Sequence, residues 1–374
     1  MRKIRWVVAR GIEIAEKDTI LTFFLFLLVI LAIVYPDKMA SYISIIDWRP
    51  IVALAGLILI ATGLKESGYF DILSRRVLGW CKTERGLSII LVLLAVFLST
   101  FLTNDVTLFV VVPITLGIRK MVEIDALKLV VFEAMAVNAG SALTPIGNPQ
   151  NIFLWHEWGV SFITFLLQTL PLFIVLLVLL LLFTYLSFPA IELDFSKNIE
   201  DPKKDTTLFV LSTVMLAAYL AFLELRQSQM LLPLVVLLYA LLYRRVLINT
   251  DWLLILLFIV VLIDFRVLSS VPPLIELVGT LDIKSSGNIF IFSAVTSQLI
   301  SNVPAAIFVS NFSHNWPAIV YGVNIGGNGL ITASFANIIA LRMVQSEKRW
   351  RRFHKYSVPY FLITGWVAYM LFFN

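Results

Sequence analysis

Between Pro171 and Leu182 the chain reads PLFIVLLVLLLL, inside a stretch, 161–188, that carries no charged residue. A helix of about 20 apolar residues crosses a hydrocarbon core about 30 Å thick. Further spans are predicted at 19–35, 48–64, 207–224, 230–243, 251–268 and 357–373. The first is read as a span and not a signal peptide, because no small-x-small cleavage site follows it. Of the residues, 60% are hydrophobic and 14% charged. A soluble domain carries about 25% charged residues, so this chain cannot cover its apolar surface with polar groups, and it is too apolar to be disordered. The fold class expected is an all-α polytopic membrane protein whose first partner is the lipid bilayer.

Four apolar stretches resist reading as simple spans. Residues 87–118 break at Thr103-Asn104-Asp105, and 287–313 break at Ser301-Asn302-Val303-Pro304. A straight helix over 87–118 would be about 48 Å long, too long for one crossing and too short for two. Each stretch is therefore predicted to be a re-entrant hairpin with half-depth legs and a polar tip. Residues 126–158 and 316–341 each contain a patch rich in Gly, Asn and Ser and are predicted to be broken but spanning helices. Irregular backbone is excluded from lipid, so these breaks must be buried in protein or line a wet cavity.

Basic residues test this layout through the positive-inside rule. With the N-terminus in the cytoplasm, segments 1–18, 65–86, 119–128, 189–206, 244–250 and 342–355 hold 24 of the 29 Lys and Arg. Lys38, Arg49, Arg226, Arg266 and Lys284 are left outside. The expected location is the cell membrane, with the C-terminus outside. Residues 66–86 read as an amphipathic helix on the cytoplasmic face, and 272–284 as its outer counterpart. The basic run 348–355 is short and flanked by membrane segments, so it is topogenic and no nucleic-acid partner is expected.

Sliding VNAGSALTPIGNPQNI (137–152) over VNIGGNGLITASFANI (323–338) aligns Val137 with Val323, Asn138 with Asn324, Gly140 with Gly326 and Asn151 with Asn337. Each copy is preceded by a hairpin tip and a full span, and followed by another full span. The chain therefore divides into a leader and first span (1–47), a first repeat (48–188), a charged cytoplasmic linker (189–206), a connecting helical hairpin (207–250) and a second repeat (251–374). The first copy starts outside and the second inside, which makes the repeats inverted. Inverted repeats with discontinuous helices mark secondary transporters. A helix broken at mid-membrane offers N–H groups to an anion on one side of the break and C=O groups to a cation on the other.

The tips and breaks supply the candidate site. Substrate contacts are expected from Thr103, Asn104, Thr144, Gly147 and Asn148 in the first half, and from Ser301, Asn302, Gly327, Asn328 and Ser334 in the second. Coupling to a cation or proton is expected from Asp105, Asn138, Ser141, Asn151, Asn324 and Asn337. Asn104, Asp105, Asn138, Asn302 and Asn324 offer ligands for Na⁺. Hydroxyls and amides both donate and accept, and a carboxylate at depth is a functional-site hypothesis by default. Asp105 also suits the N-cap of the second hairpin leg. The alternative for the whole set is that it satisfies helix ends and permits tight packing. Glu133 reads either as a proton carrier or as a cytoplasm-facing surface acid. Asp264 is expected to pair with Arg266 or to snorkel, and Glu224 likewise with Arg226. In this layout no Lys or Arg sits near either break, so an anion would be met by helix N-termini, amides and a co-bound Na⁺ or H⁺.

HExxH, Walker A, GxSxG and GxGxxG motifs are absent, the three histidines are far apart, and Cys81 is the single cysteine. No enzyme and no cofactor is expected. A channel would be told from a transporter by flux too fast for alternating access.

FLTNDVTLFVVVPIT (101–115), NAGSALTPIGNPQNIFLW (138–155), ISNVPAAIF (300–308) and GVNIGGNGLITASFANIIAL (322–341) resemble the ion transporter superfamily. The nearest branches are the arsenite permease and NhaD-type antiporter group, with citrate-transporter-like proteins and divalent anion–sodium symporters as cousins. The resemblance implies a scaffold plus a mobile transport domain, an elevator-like mechanism and a homodimer. It implies a small anionic or neutral oxyacid solute, coupled to Na⁺ or H⁺, with Na⁺/H⁺ antiport as the alternative. In sodium-coupled carboxylate members, paired Ser-Asn-Thr tips bind carboxylates. Here the tips keep Asn104 and Asn302 and differ at the next position, Asp105 against Val303. The tip aspartate is closer to the arsenite permease branch.

Overall fold

The computed structural model describes residues 19–42, 46, 48–193, 204–224, 227–272, 276, 285–344 and 346–374. The leader 1–18, Arg226, Lys284 and most of the linker 189–206 and of the segment 272–284 lie outside the described residues. Helices occupy nearly all of what is described: α1 (Thr19–Val34), α2 (Trp48–Glu66), α3 (Tyr69–Leu78), α4 (Glu84–Phe101), α5 (Asn104–Met121), α6 (Ala126–Ser141), α7 (Pro149–Trp158), α8 (Phe162–Ser187) and α9 (Thr206–Glu224). They are followed by α10 (Ser228–Leu242), α11 (Arg244–Asn249), α12 (Trp252–Ser269), α13 (Ser286–Ile300), α14 (Asn302–Ser310), α15 (Trp316–Gly326), α16 (Phe335–Met343) and α17 (Arg349–Phe372). Short 3₁₀ turns cover Pro36–Ser41 and Ile331–Ala333. No strand is present among the described residues.

Helix starts follow capping chemistry. A side-chain oxygen at the N-cap accepts the backbone N–H three residues on. Thr83 does so for Gly86 (3.1 Å), Asp125 for Lys128 (3.1 Å), Asn148 for Asn151 (2.8 Å), Asp251 for Leu254 (3.1 Å) and Ser285 for Asn288 (3.2 Å). Every simple span predicted from hydropathy is a helix. The last begins earlier than expected: α17 takes in the basic run from Arg349, because Arg and Lys are good helix formers and their charge says nothing against a helix. The two stretches with polar tips are pairs of helices, α4–α5 and α13–α14. The legs α4 and α5 have 18 residues each, about 27 Å, longer than the half-depth legs expected, because the charged turns at Glu84–Arg85 and Arg119–Lys120 continue the helices.

The chain divides into two compact units, Met1–Glu66 with Thr207–Thr280 and Ser67–Thr206 with Leu281–Asn374. Both predicted repeats are cut at the same place. The first helix of each, α2 and α12, belongs to the first unit, and the rest belongs to the second.

In the first unit, two glycines of α2 make slots for tyrosines. A Cβ on Gly56 would lie 2.1 Å from the Tyr219 ring, and one on Gly63 would lie 2.4 Å from the Tyr239 hydroxyl. Tyr219 donates to the Val52 carbonyl at 2.7 Å, and the Tyr239 and Ser212 hydroxyls bond at 2.7 Å. Leu31 of α1 packs with Ile263 and Val267 of α12. Asp264 does not form the expected pair with Arg266: it is fully buried, neither carboxylate oxygen is hydrogen-bonded, and Arg266 is exposed.

In the second unit, α8 shows how the molecule meets its surroundings. One stripe, Phe165, Thr169, Leu172, Leu176, Leu180 and Thr184, is buried. Leu167, Ile174, Val178, Leu182 and Leu186 are exposed. A helix that is apolar all round yet covered by protein on one stripe has lipid on the others. Three hydrogen bonds tie α8 to its neighbours on this side: Thr169 donates to Leu143 O (2.6 Å), Tyr321 to Gln168 O (2.6 Å) and Tyr360 to Leu176 O (2.8 Å). The amphipathic segment on 66–86 is helical over α3, whose Ser74 donates to Ile114 O of α5 at 2.8 Å. Lys120 of α5 pairs with Asp71 of α3 at 2.9 Å.

Candidate functional site

Both broken helices are interrupted where the sequence predicts. Residues 142–148 separate α6 from α7, and 327–334 separate α15 from α16. The first segment of each is pressed against the first leg of its hairpin. A Cβ on Gly140 would lie 2.3 Å from Val96 O of α4, and one on Gly326 would lie 2.9 Å from Ala294 O of α13.

The two breaks are tied together by reciprocal amides. Asn138 Nδ2 donates to Asn337 Oδ1 at 2.9 Å, and Asn324 Nδ2 donates to Asn151 Oδ1 at 2.8 Å. In the sequence alignment Asn138 matches Asn324 and Asn151 matches Asn337, so one bond repeats the other. The same holds for the residues that open the second segments. Asn148 Nδ2 donates to Asn324 Oδ1 at 3.0 Å, and its aligned partner, the Ser334 hydroxyl, donates to Asn138 Oδ1 at 3.2 Å.

These side chains also cover the carbonyls that a helix leaves unpaired at its C-terminus. Asn148 and Asn151 donate to Ser141 O at 3.1 and 3.2 Å. Asn138 and Asn337 donate to Gly327 O at 3.0 and 2.9 Å. The Ser141 hydroxyl donates to Asn138 O at 3.3 Å, and that of Thr144 to Thr100 O of α4 at 2.8 Å.

Each hairpin tip touches a break. Asn104 N donates to Gly147 O at 3.0 Å, and Asn104 Oδ1 accepts from Asp105 N at 2.9 Å. Thr103, not Asp105, is the N-cap of α5. At the second tip the Asn302 amide lies against Gly327: a Cβ there would sit 3.1 Å from Asn302 Nδ2. Ser301 has a φ of 69°, a conformation that costs a residue with a Cβ about 1–3 kcal/mol. Its hydroxyl donates to Asn302 Oδ1 at 3.4 Å, and α14 starts with no side-chain cap. Neither does α16 have one.

Where the amides of the breaks are satisfied, a second set is not. Asp105 Oδ1, Thr107 Oγ1, Gln150 Oε1 and both amide atoms of Asn328 are buried and without a hydrogen-bond partner. Buried polar atoms are nearly always partnered, so each such group needs an explanation.

The profile of the citrate transporter family matches residues 12–312. The chain belongs to that family. This citrate transporter family member is 40% identical to the inner membrane protein YbiR of Escherichia coli over 336 residues, 90% of each chain. It is 34% identical to an uncharacterized transporter of Methanocaldococcus jannaschii over 354 residues, 92% of each. A shorter match, 25% identical over 139 residues, is to an arsB-named transporter of Dictyostelium discoideum and covers 37% of this chain and 24% of that one.

Two positions around the breaks are missed by sequence reasoning. Gln298 of α13 donates to Gly326 O (2.7 Å) and Asn328 O (2.9 Å) and accepts from Leu330 N (2.8 Å), which fastens the second break to its hairpin. Its signal is an amide one helical turn ahead of the tip residue Asn302. Gln150 stands inside the quoted loop and is passed over beside the more numerous asparagines. Glu133 is fully buried, which rules out the surface-acid reading. Its carboxylate accepts the Thr115 hydroxyl.

Proposed function

We propose that the protein is a secondary active transporter that moves a small anion, a carboxylate or inorganic oxyanion, or arsenite across the cell membrane by an elevator-like alternating-access mechanism driven by Na⁺ or H⁺. The observation that carries this reading is the pairing of two broken helices through duplicated amides, beside buried polar atoms that have no partner in the protein. The asparagines 138, 151, 324 and 337 spend their hydrogen bonds on one another and on helix ends, so they hold the site's shape. The solute then meets the tips, Asn104 and Asn302, with Thr103 and Ser301, the Asn328 amide and the uncapped N-termini of α14 and α16. Helix N-termini carry partial positive charge and unbonded N–H groups, which suits an anion with no Lys or Arg at hand.

The coupling ion falls to Asp105. The Oδ1 atoms of Asn138 and Asn324 already accept hydrogen bonds, whereas Asp105 Oδ1 is unpartnered and can take Na⁺ or a proton. That carboxylate also favours the second reading, Na⁺/H⁺ antiport without an anion. In the elevator reading the unit that contains both hairpins and both breaks is the moving body, and the unit with α2 and α12 is the scaffold and the seat of a homodimer. The N-terminus is cytoplasmic and the repeats are inverted.

Asn104→Ala and Asn302→Ala are each expected to abolish uptake in proteoliposomes while the purified proteins stay monodisperse; normal uptake by both would remove the tips from the site. Asp105→Asn is expected to change the dependence of uptake on Na⁺ or pH; unchanged coupling would assign Asp105 to structure alone. Citrate, succinate, phosphate, sulfate, arsenite and Na⁺ can be screened by thermal stability, since a ligand of the folded form raises the melting temperature by mass action. A rise with Na⁺ alone would favour the antiport reading.

A further inference from the structure

Glu133 stands on α6, about 12 Å along the helix from its cap Asp125, and is fully buried. Its Oε1 accepts the hydroxyl of Thr115 on α5. Its Oε2 is buried with no hydrogen-bond partner. On α5, residues 104, 107 and 115 fall on one face by helical periodicity. Thr107 is also fully buried with an unpartnered hydroxyl. Thr107 and Thr115 therefore share a face of α5 with the first hairpin tip, separated there by the apolar Val111.

The helices packed on α6 bring no cation to this carboxylate. On α5, Lys120 is bound to Asp71. On α6 itself, Lys128 donates to Ser187 O. On α17, Arg352 is paired with Asp125, and His354 accepts from Ile331 N at 3.2 Å. Arg119 of α5, Lys355 of α17, Arg342 of α16 and the end residues Glu84 and Arg85 of α4 make no hydrogen bond to Glu133. α8 and α15 add the tyrosines Tyr185 and Tyr321, and Tyr321 is bound to Gln168 O. A buried carboxylate with no counter-ion is costly to keep charged, and a proton on the bare oxygen removes that cost.

We propose that Glu133, oriented by Thr115, is a proton-binding site distinct from Asp105 and from the asparagine cluster, and that it takes up and releases one proton per transport cycle. A proton from water forms the O–H bond at Oε2 while Thr115 goes on donating to Oε1. That bond breaks, and the proton returns to water, when the site opens to the other side. The site is sealed from solvent in the conformation described, as an occluded carrier must be. The cycle in this proposal rests on the transport reading above; the proton site itself does not.

The experiment joins two readouts. Infrared difference spectroscopy of purified wild type against Glu133→Gln should show a protonated-carboxyl stretch that is absent in the variant and displaced in Thr115→Val. Radiolabelled citrate in proteoliposomes then separates coupling from translocation. A one-unit pH gradient can support about tenfold accumulation per coupled proton. Glu133→Gln should lose that accumulation yet keep citrate counterflow at equal pH. A missing carboxyl band overturns the site, and unchanged gradient-driven accumulation in Glu133→Gln overturns its role as carrier. Absence of citrate counterflow in the wild type counts against citrate transport, and the infrared band still decides on the proton site.

Discussion

Gly140→Ala is expected to yield little folded protein, and Gly326→Ala to fold with reduced stability. An added Cβ at Gly140 would lie 2.2 Å from Ser99 Oγ and 2.3 Å from Val96 O. The hydroxyl can rotate away; the carbonyl is part of the α4 backbone and cannot. At Gly326 the nearest atoms are Ser297 Cβ at 2.6 Å and Ala294 O at 2.9 Å, so a smaller displacement suffices. Overpacking of this kind costs about 1–3 kcal/mol and sometimes more, against which Ala regains about 0.8–1.0 kcal/mol of helix propensity. Gly140→Ala should therefore stand at the top of that range and Gly326→Ala near its middle. Gly365→Ala is the control: its Cβ would meet nothing nearer than Ile325 Cγ2 at 3.8 Å, so propensity alone acts and stability should hold or rise. Melting curves and size-exclusion profiles of the three variants check the order. Equal stability of Gly140→Ala and Gly365→Ala would mean that α4 and α6 are not in close register.

The spans, the tips and both breaks are legible in the sequence because each rests on local chemistry. A charge-free run such as 161–188 has few alternatives to a helix in lipid. The one cap read from the sequence, Asp105, is displaced by two residues, since Thr103 caps α5, although capping is a signal local to about four residues. The alignment of 137–152 with 323–338 is also visible along the chain.

Partners distant in sequence are not legible. Nothing near Asn138 says that its amide is bound by Asn337 and its carbonyl by Ser334, so the reading that these asparagines serve a solute and the reading that they close helix ends stay equal until the geometry is known. The same limit applies to Glu133: an acid in an apolar segment is compatible with burial or with exposure at a helix end, and burial follows from Thr115 on another helix. The basic start of α17 is misplaced for the opposite reason: a basic cluster marks the edge of the membrane but does not end a helix. The division into two units, which parts α2 and α12 from the repeats that contain them, depends on packing between segments more than a hundred residues apart.

Asn324→Ala is expected to destabilise the protein by about 1–3 kcal/mol, the cost of one unpaired buried group, because it leaves Asn151 Oδ1 without its donor in a fully buried site, while Asn148 Nδ2 keeps Ser141 O and Oγ as acceptors. Asn138→Ala should act alike through Asn337 and Ser334. Stability alone does not distinguish a pair from two separate contributions, so the decisive measurement is a double-mutant cycle on each pair, Asn138 with Asn337 and Asn324 with Asn151. Directly bonded residues show interaction energies of about 0.5–3 kcal/mol. The two bonds differ by 0.1 Å in length and join aligned positions, so the two cycles should return similar values. Independent, additive mutations in both cycles would refute the reciprocal clasp. Strong coupling in one cycle and none in the other would show that the copies share a sequence pattern without sharing its energetics. Uptake in the same variants reports a separate quantity. If the amides shape the site and the tips bind the solute, Asn324→Gln or Asn138→Gln should lower stability and maximal rate together and leave the apparent affinity nearly unchanged, whereas substitutions at Asn104 and Asn302 should act on affinity.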